Sequence, residues 1–130
     1  MTNEDQIREL VQNWASAVRE KNYDGILAHH HKDMVMYDVP PPFESRGIDA
    51  YMKTWGLFFN CPQNSASVFD IVELNVYAGE DVAFCHASMR CIDEHAGEKA
   101  DYLPFRLTIG FKKIDGQWWF MHEHHSVPAE

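Results

Sequence analysis

Three of the chain's eight histidines fall in one run, His122-Glu123-His124-His125-Ser126. Imidazole exchanges a proton near neutral pH without special help, so a histidine held against an apolar wall or a carboxylate is a ready acid or base. Asp38 stands ahead of Pro40-Pro41-Pro42. At a cavity rim it would be a base with a raised pKa, or would pair with a histidine and stay ionised. His122-x-His124 on one strand face also suits a metal ion, with His86 as a third ligand. The pair alone falls short of the three or four ligands that zinc requires, so no metal is assigned. His29-His30-His31 point about 100° apart if helical and cannot converge on one ion. Near a helix end they read as solvent-facing cations or partners of the last carbonyls. No phosphate-binding glycine loop or nucleophile elbow occurs, so no organic cofactor is implied.

These residues need elements to hold them. Asn3 and Gln6 suggest a capping box, and Ile7, Leu10, Val11, Trp14, Ala15 and Val18 recur at helical spacing. Asn22 suits the cap of a short second helix reaching about His30. Met34 to Val39 reads as a strand that the prolines stop. After Gly47, the residues Ile48, Tyr51, Met52, Trp55, Phe58 and Phe59 again show helical spacing. Strands follow at Val68–Tyr77, Val82–Ile92, Tyr102–Ile114 and Gln117–Val127, the last two joined by the hairpin signal Asp115-Gly116. Helices grouped before a meander imply an α+β fold: three N-terminal helices on a strongly curved antiparallel sheet, with a cone-shaped cavity between them.

The Asp115-Gly116 turn sets a register in which Phe111 faces Phe120, Ile109 faces His122 and Leu107 faces His124. One face then carries Phe105, Leu107, Ile109, Phe111, Trp118, Phe120, His122, His124 and Ser126. It is the more apolar and is assigned to the core and pocket. The other carries Arg106, Trp119, Met121, Glu123 and His125, a mixture of aromatic and charged groups that suits a subunit interface. If that face lined the pocket instead, Arg106 would bind an anion. A one-residue bulge would exchange the two sets. Trp14, Tyr51 and Trp55 would complete the pocket wall, or simply fill the core.

At 130 residues the chain is sized for one domain, read here as spanning 1–130. Its net charge of −9 disfavours nucleic acid and anionic membranes as partners. No apolar run nears ~20 residues, the acidic opening MTNEDQIREL lacks the pattern of a signal peptide, and Cys61, Cys85 and Cys91 form no C-x-x-C pair. Reduced thiols in the cytoplasm are the expectation.

Three stretches carry a family resemblance: Val35-Met36-Tyr37-Asp38-Val39-Pro40, Arg46-Gly47-Ile48-Asp49-Ala50-Tyr51, and the ending Asp115-Gly116-Gln117-Trp118 with His122 to Ser126. Nearly the whole chain resembles the nuclear transport factor 2-like superfamily, and within it the SnoaL-like and ketosteroid-isomerase-like bacterial proteins. The resemblance implies a pocket in the cone and a homodimer through the outer face of the sheet. Ketosteroid isomerases shuttle the proton with an aspartate at the end of the first strand, where Asp38 stands here. Their oxyanion donors, a tyrosine on the first helix and an aspartic acid on the penultimate strand, correspond here to Trp14 and about Gly110, which cannot serve. The resemblance therefore implies a small-molecule-binding protein, with acid–base isomerisation, dehydration or cyclisation by Asp38, His124 and His122 as its possible chemistry. The alternatives are a non-catalytic binding or dimerisation module and a histidine metal site.

Overall fold

Thr2 caps the first helix in place of the expected Asn3. Its hydroxyl accepts the Asp5 N–H, and the Asp5 carboxylate reaches back to the Thr2 N–H. The computed structural model describes residues 1–60, 68–92 and 102–129. Helix α1, Asn3–Arg19, buries Ile7, Val11, Trp14, Ala15 and Val18, the stripe that its spacing predicts. Asn22 caps α2, which spans only Tyr23–Leu27. His29 then takes φ 60°, turning the chain into strand β1, His30–Tyr37. The histidine triplet therefore opens a strand, where a helix end was expected, and a shift of register between His30 and Val35 leaves His30 buried with Met34 and Met36 while Lys32 is exposed.

β2 is the two-residue Ser45–Arg46, antiparallel to β1. Gly47 follows at φ 88°, a conformation that L side chains rarely adopt. Its N–H donates to the Met34 carbonyl at 2.7 Å, and its own carbonyl accepts from Tyr51, starting α3, Ile48–Asn60. Tyr51 and Trp55 are buried, but Met52 faces outward. β3 (Phe69–Ala78), β4 (Val82–Ile92), β5 (Tyr102–Ile114) and β6 (Gln117–Ser126) complete a six-stranded sheet in the order β2-β1-β6-β5-β4-β3. The β1–β6 pair is parallel and its other neighbours are antiparallel. The fold is α+β, with helices on one face of a curved, mostly antiparallel sheet.

α1 also closes the sheet's far edge. Arg8 and Arg19 donate to the β3 carbonyls of Leu74 and Phe69, occupying acceptors that an edge strand would otherwise offer to another chain. Cys85 and Cys91 lie buried along β4; Cys61 lies outside the described residues.

The Asp115-Gly116 turn has φ 52° and 80°, the left-handed pair of a type I′ turn. From it the register runs as expected through Phe111–Phe120 and then slips: Gly110 pairs with His122, leaving Met121 unpaired as a bulge. Beyond it, Ile109 faces Glu123 and Leu107 faces His125. The slip corrects the assignment of faces. Glu123 and His125 point into the core, while His124 and Ser126 turn outward with His122, against the expectation that these three line a pocket. Phe105, Leu107, Trp118 and Phe120 are buried as expected, and Arg106, Trp119 and Met121 stay on the outer side.

Candidate functional site

The bulge brings a carboxylate into the core. Glu123 is fully buried, and its oxygens are shared between two strands. His30 Nε2 lies 2.6 Å from Oε2, and His125 Nε2 lies 3.2 Å from Oε1. Tyr51, on α3, faces the same carboxylate and accepts the Trp14 indole N–H at 2.9 Å. Four elements thus converge on one acid: α1, α3, β1 and β6.

Burial alone would push the Glu123 pKa up. The hydrogen bonds from His125 and His30, with their charge, outweigh it and bring the acid down to about 2. Burial raises the Tyr51 hydroxyl well above an ordinary phenol, helped by the charge on Glu123, so it stays a proton donor. For His125, burial works against the charged form. Glu123 and then Asp38 overcome it, and its pKa is raised. Burial pushes the nearby Cys85 thiol up to about 12, leaving it inert.

Asp38 follows the last residue of β1, its side chain 23% exposed. One oxygen accepts the Val39 N–H at 2.8 Å. The same oxygen lies 3.9 Å from His125 Nδ1, too far for a hydrogen bond. His125 is therefore held by its inner nitrogen and presents its outer nitrogen to a mostly buried carboxylate. Trp14, Trp55 and Phe105 surround it, with ring centres 6.2, 6.4 and 5.9 Å away. The indole N–H of Trp55 is buried with no hydrogen-bond partner among the described residues.

Asp38, Trp14, Tyr51, Trp55 and Phe105 thus gather around His125, the histidine that alternation had put outside. Phe120 lies deeper, stacked on His30 at 4.1 Å, and Leu107 is packed in the core. His124 is exposed, in edge contact with Tyr37. His122 Nδ1 donates to the Val35 carbonyl at 2.7 Å, tying β6 to β1. Ser126 accepts from Arg106 on the outer side. His86 stacks on Tyr77 and does not join His122 and His124 in a ligand set. Among the described residues no group of three metal-ligating side chains is placed to hold an ion.

Three members of the cluster were missed from the sequence: His30, read as a helix-end histidine, and Glu123 and His125, read as interface residues. No period marked His30, because β1 shifts register against β6 between His30 and Val35 and Lys32, of the same parity, is exposed. For Glu123 and His125 the signal was Gly110, a glycine inside a strand, which often marks a bulge. A separate open groove of about 490 Å³ at the turn end of the β5–β6 hairpin is lined by His31, Lys32, Asp115 and Trp119 among others. It meets the cluster only through His30, whose side chain is fully buried, and does not reach Asp38 or His125.

Residues 7–130 match the SnoaL-like domain family. The chain is similar to an NTF2-like protein of unknown function from Pseudomonas putida KT2440, with 31% identity over 98% of this chain and 87% of that one, at a TM-score of 0.86. A Nostoc punctiforme PCC 73102 protein with a cystatin-like fold superposes at 0.77, with 13% identity over 98% of this chain and 94% of that one. An NTF2-like protein from Cytophaga hutchinsonii ATCC 33406 superposes at 0.76, with 13% identity over 98% and 100%. At such identities these last two speak for the fold alone. No curated protein matches the chain. No helix among the described residues is long and apolar enough to cross a membrane. With the family matched over nearly its whole length, and an NTF2-like relative sharing both its fold and almost a third of its residues, the chain belongs to the SnoaL-like domain family of the NTF2-like superfamily.

Proposed function

We propose that the protein performs acid–base chemistry on a small, largely apolar molecule, with Asp38 and His125 as the proton-transferring pair. The observation that carries this reading is the 3.9 Å approach of His125 Nδ1 to Asp38, behind which His125 Nε2 is anchored on Glu123. A histidine fixed through one nitrogen and free at the other can take a proton and return it at a second position. Isomerisation, dehydration and cyclisation all need that step. Apolar rings on three sides suit an apolar substrate. Asp38 keeps the role of base expected from the sequence, and His125 takes the place given there to His124.

The test is proton exchange in deuterium oxide with a panel of small cyclic ketones, followed by NMR. Asp38→Asn and His125→Gln are each expected to slow wash-in by about 100-fold or more, the lower end of a general-base contribution. Wash-in at wild-type rate in both variants contradicts the assignment.

A second reading, a non-catalytic ligand-binding or dimerisation module, is favoured by the edge-to-face packing of Trp14, Trp55 and Phe69. The outer face supports the dimerisation part. Phe84 and Tyr77 stack at 5.1 Å there, about half exposed, and Val82 is more exposed still. A second copy of the chain would cover them. Light scattering is expected to find a dimer that Phe84→Lys converts to monomer; a monomeric wild type, or a dimer insensitive to that change, contradicts it.

A further inference from the structure

Proton transfer by Asp38 and His125 leaves His30 without a task, yet its surroundings are the most restrictive in the site. The His30 ring faces an acceptor on each side: the Ala28 carbonyl 3.1 Å from Nδ1, and Glu123 Oε2 2.6 Å from Nε2. A carbonyl oxygen only accepts, so the proton of the first bond is on Nδ1. The second bond then holds a further proton, between Nε2 and the carboxyl. Glu123 also meets the His125 Nε2–H and the Tyr51 hydroxyl, and donors converging on a carboxyl favour its ionised form. The proton therefore sits on His30. Its ring lies between Tyr51 and Phe120, at 4.7 and 4.1 Å, and aromatic faces attract a cation. His30 and Glu123 form a buried pair with no net charge.

We propose that His30 is a positioning residue that fixes where the protons of this site reside: by holding the one that balances Glu123, it leaves His125 able to gain and lose its own at Nδ1. This gives the acid–base reading its working nitrogen and rests on that reading for its purpose, although not for the proton count. The titratable groups facing His125 are Glu123 from β6 and Asp38 at the end of β1. His30 and Tyr51 stand behind Glu123, and the protonated Cys85 thiol comes from β4. The neighbours from α1 and β5, Trp14 and Phe105, do not titrate.

The test is the imidazole ¹⁵N spectrum of histidine-labelled protein. In the wild type at neutral pH, both His30 nitrogens are expected in the protonated class, while His125 titrates at Nδ1. His30→Asn keeps a donor toward Glu123 but brings no charge. The balancing proton then moves to His125, whose midpoint is expected to rise by about one pH unit or more. A His30 ring with only one protonated nitrogen overturns the proposal, as does an unmoved His125 midpoint in H30N. If H30N does not fold, the wild-type spectrum decides alone. No loss of deuterium wash-in in D38N and H125Q, with the His30 spectrum as expected, would sink the acid–base reading and leave this proton count standing.

Discussion

Glu123→Ala is expected to lower the unfolding free energy by about 3–5 kcal/mol, the cost of removing one partner from a buried charged network. Three groups lose their acceptor at once: the His30 and His125 N–H bonds and the Tyr51 hydroxyl that faces the acid. None reaches water, since the His30 side chain is fully buried, His125 is 8% exposed and Tyr51 is enclosed. Either the imidazoles stay protonated without a counter-charge, or they give up protons and leave polar atoms unpaired. Glu80, exposed in the β3–β4 turn, serves as the control. Its alanine variant is expected to stay within about 0.5 kcal/mol of wild type. Urea unfolding of both variants checks this; a loss below about 1 kcal/mol for E123A would mean that the carboxylate is not buried among these donors.

The second large effect is on stability against pH. Glu123 titrates at about 2 in the folded chain against an ordinary 4.5. A lowered carboxyl pKa contributes stability that is fully present above its unfolded value and is lost as pH falls through the folded one. That contribution is on the order of 3 kcal/mol and disappears between about pH 4.5 and 2. His125 acts with the opposite sign. Its pKa is raised above an ordinary 6.5, so its contribution is present below that value and lost as pH rises through the folded one. Both shifts describe the same pair and are not added. The difference in stability between wild type and Glu123→Gln is expected to be greatest between about pH 4.5 and 6.5 and to shrink on both sides. Equal acid limbs in the two proteins would contradict the assignment.

The helices and the long strands were legible because each carries a hydrophobic period over many residues. The stripe from Ile7 to Val18 and the alternation from Phe105 to Phe111 leave one arrangement that buries them. The short elements were harder. β1 begins four residues before its expected start, because His30 to Asp33 contains no apolar residue to mark the alternation. The site fell where the pattern is silent. After Phe120 and Met121 come His122, Glu123, His124, His125 and Ser126, so no hydrophobic residue reports which side is inside. One unpaired residue, Met121, then decides the faces of all five. Trp14, Tyr51, Trp55 and Phe105 lie around Glu123 and His125 because their apolar spacing fixes them inside independently of the bulge. Asp38 was placed by the strand end and the prolines that follow it.

Everything proposed for the site depends on the slip at Met121, and a crystal structure tests it most directly. The expected density puts Glu123 between the Nε2 atoms of His30 and His125, with His125 Nδ1 turned toward Asp38 and His124 on the outer face. Unbroken alternation through Met121, with His122 and His124 inside and Glu123 in solvent or at an interface, would contradict it.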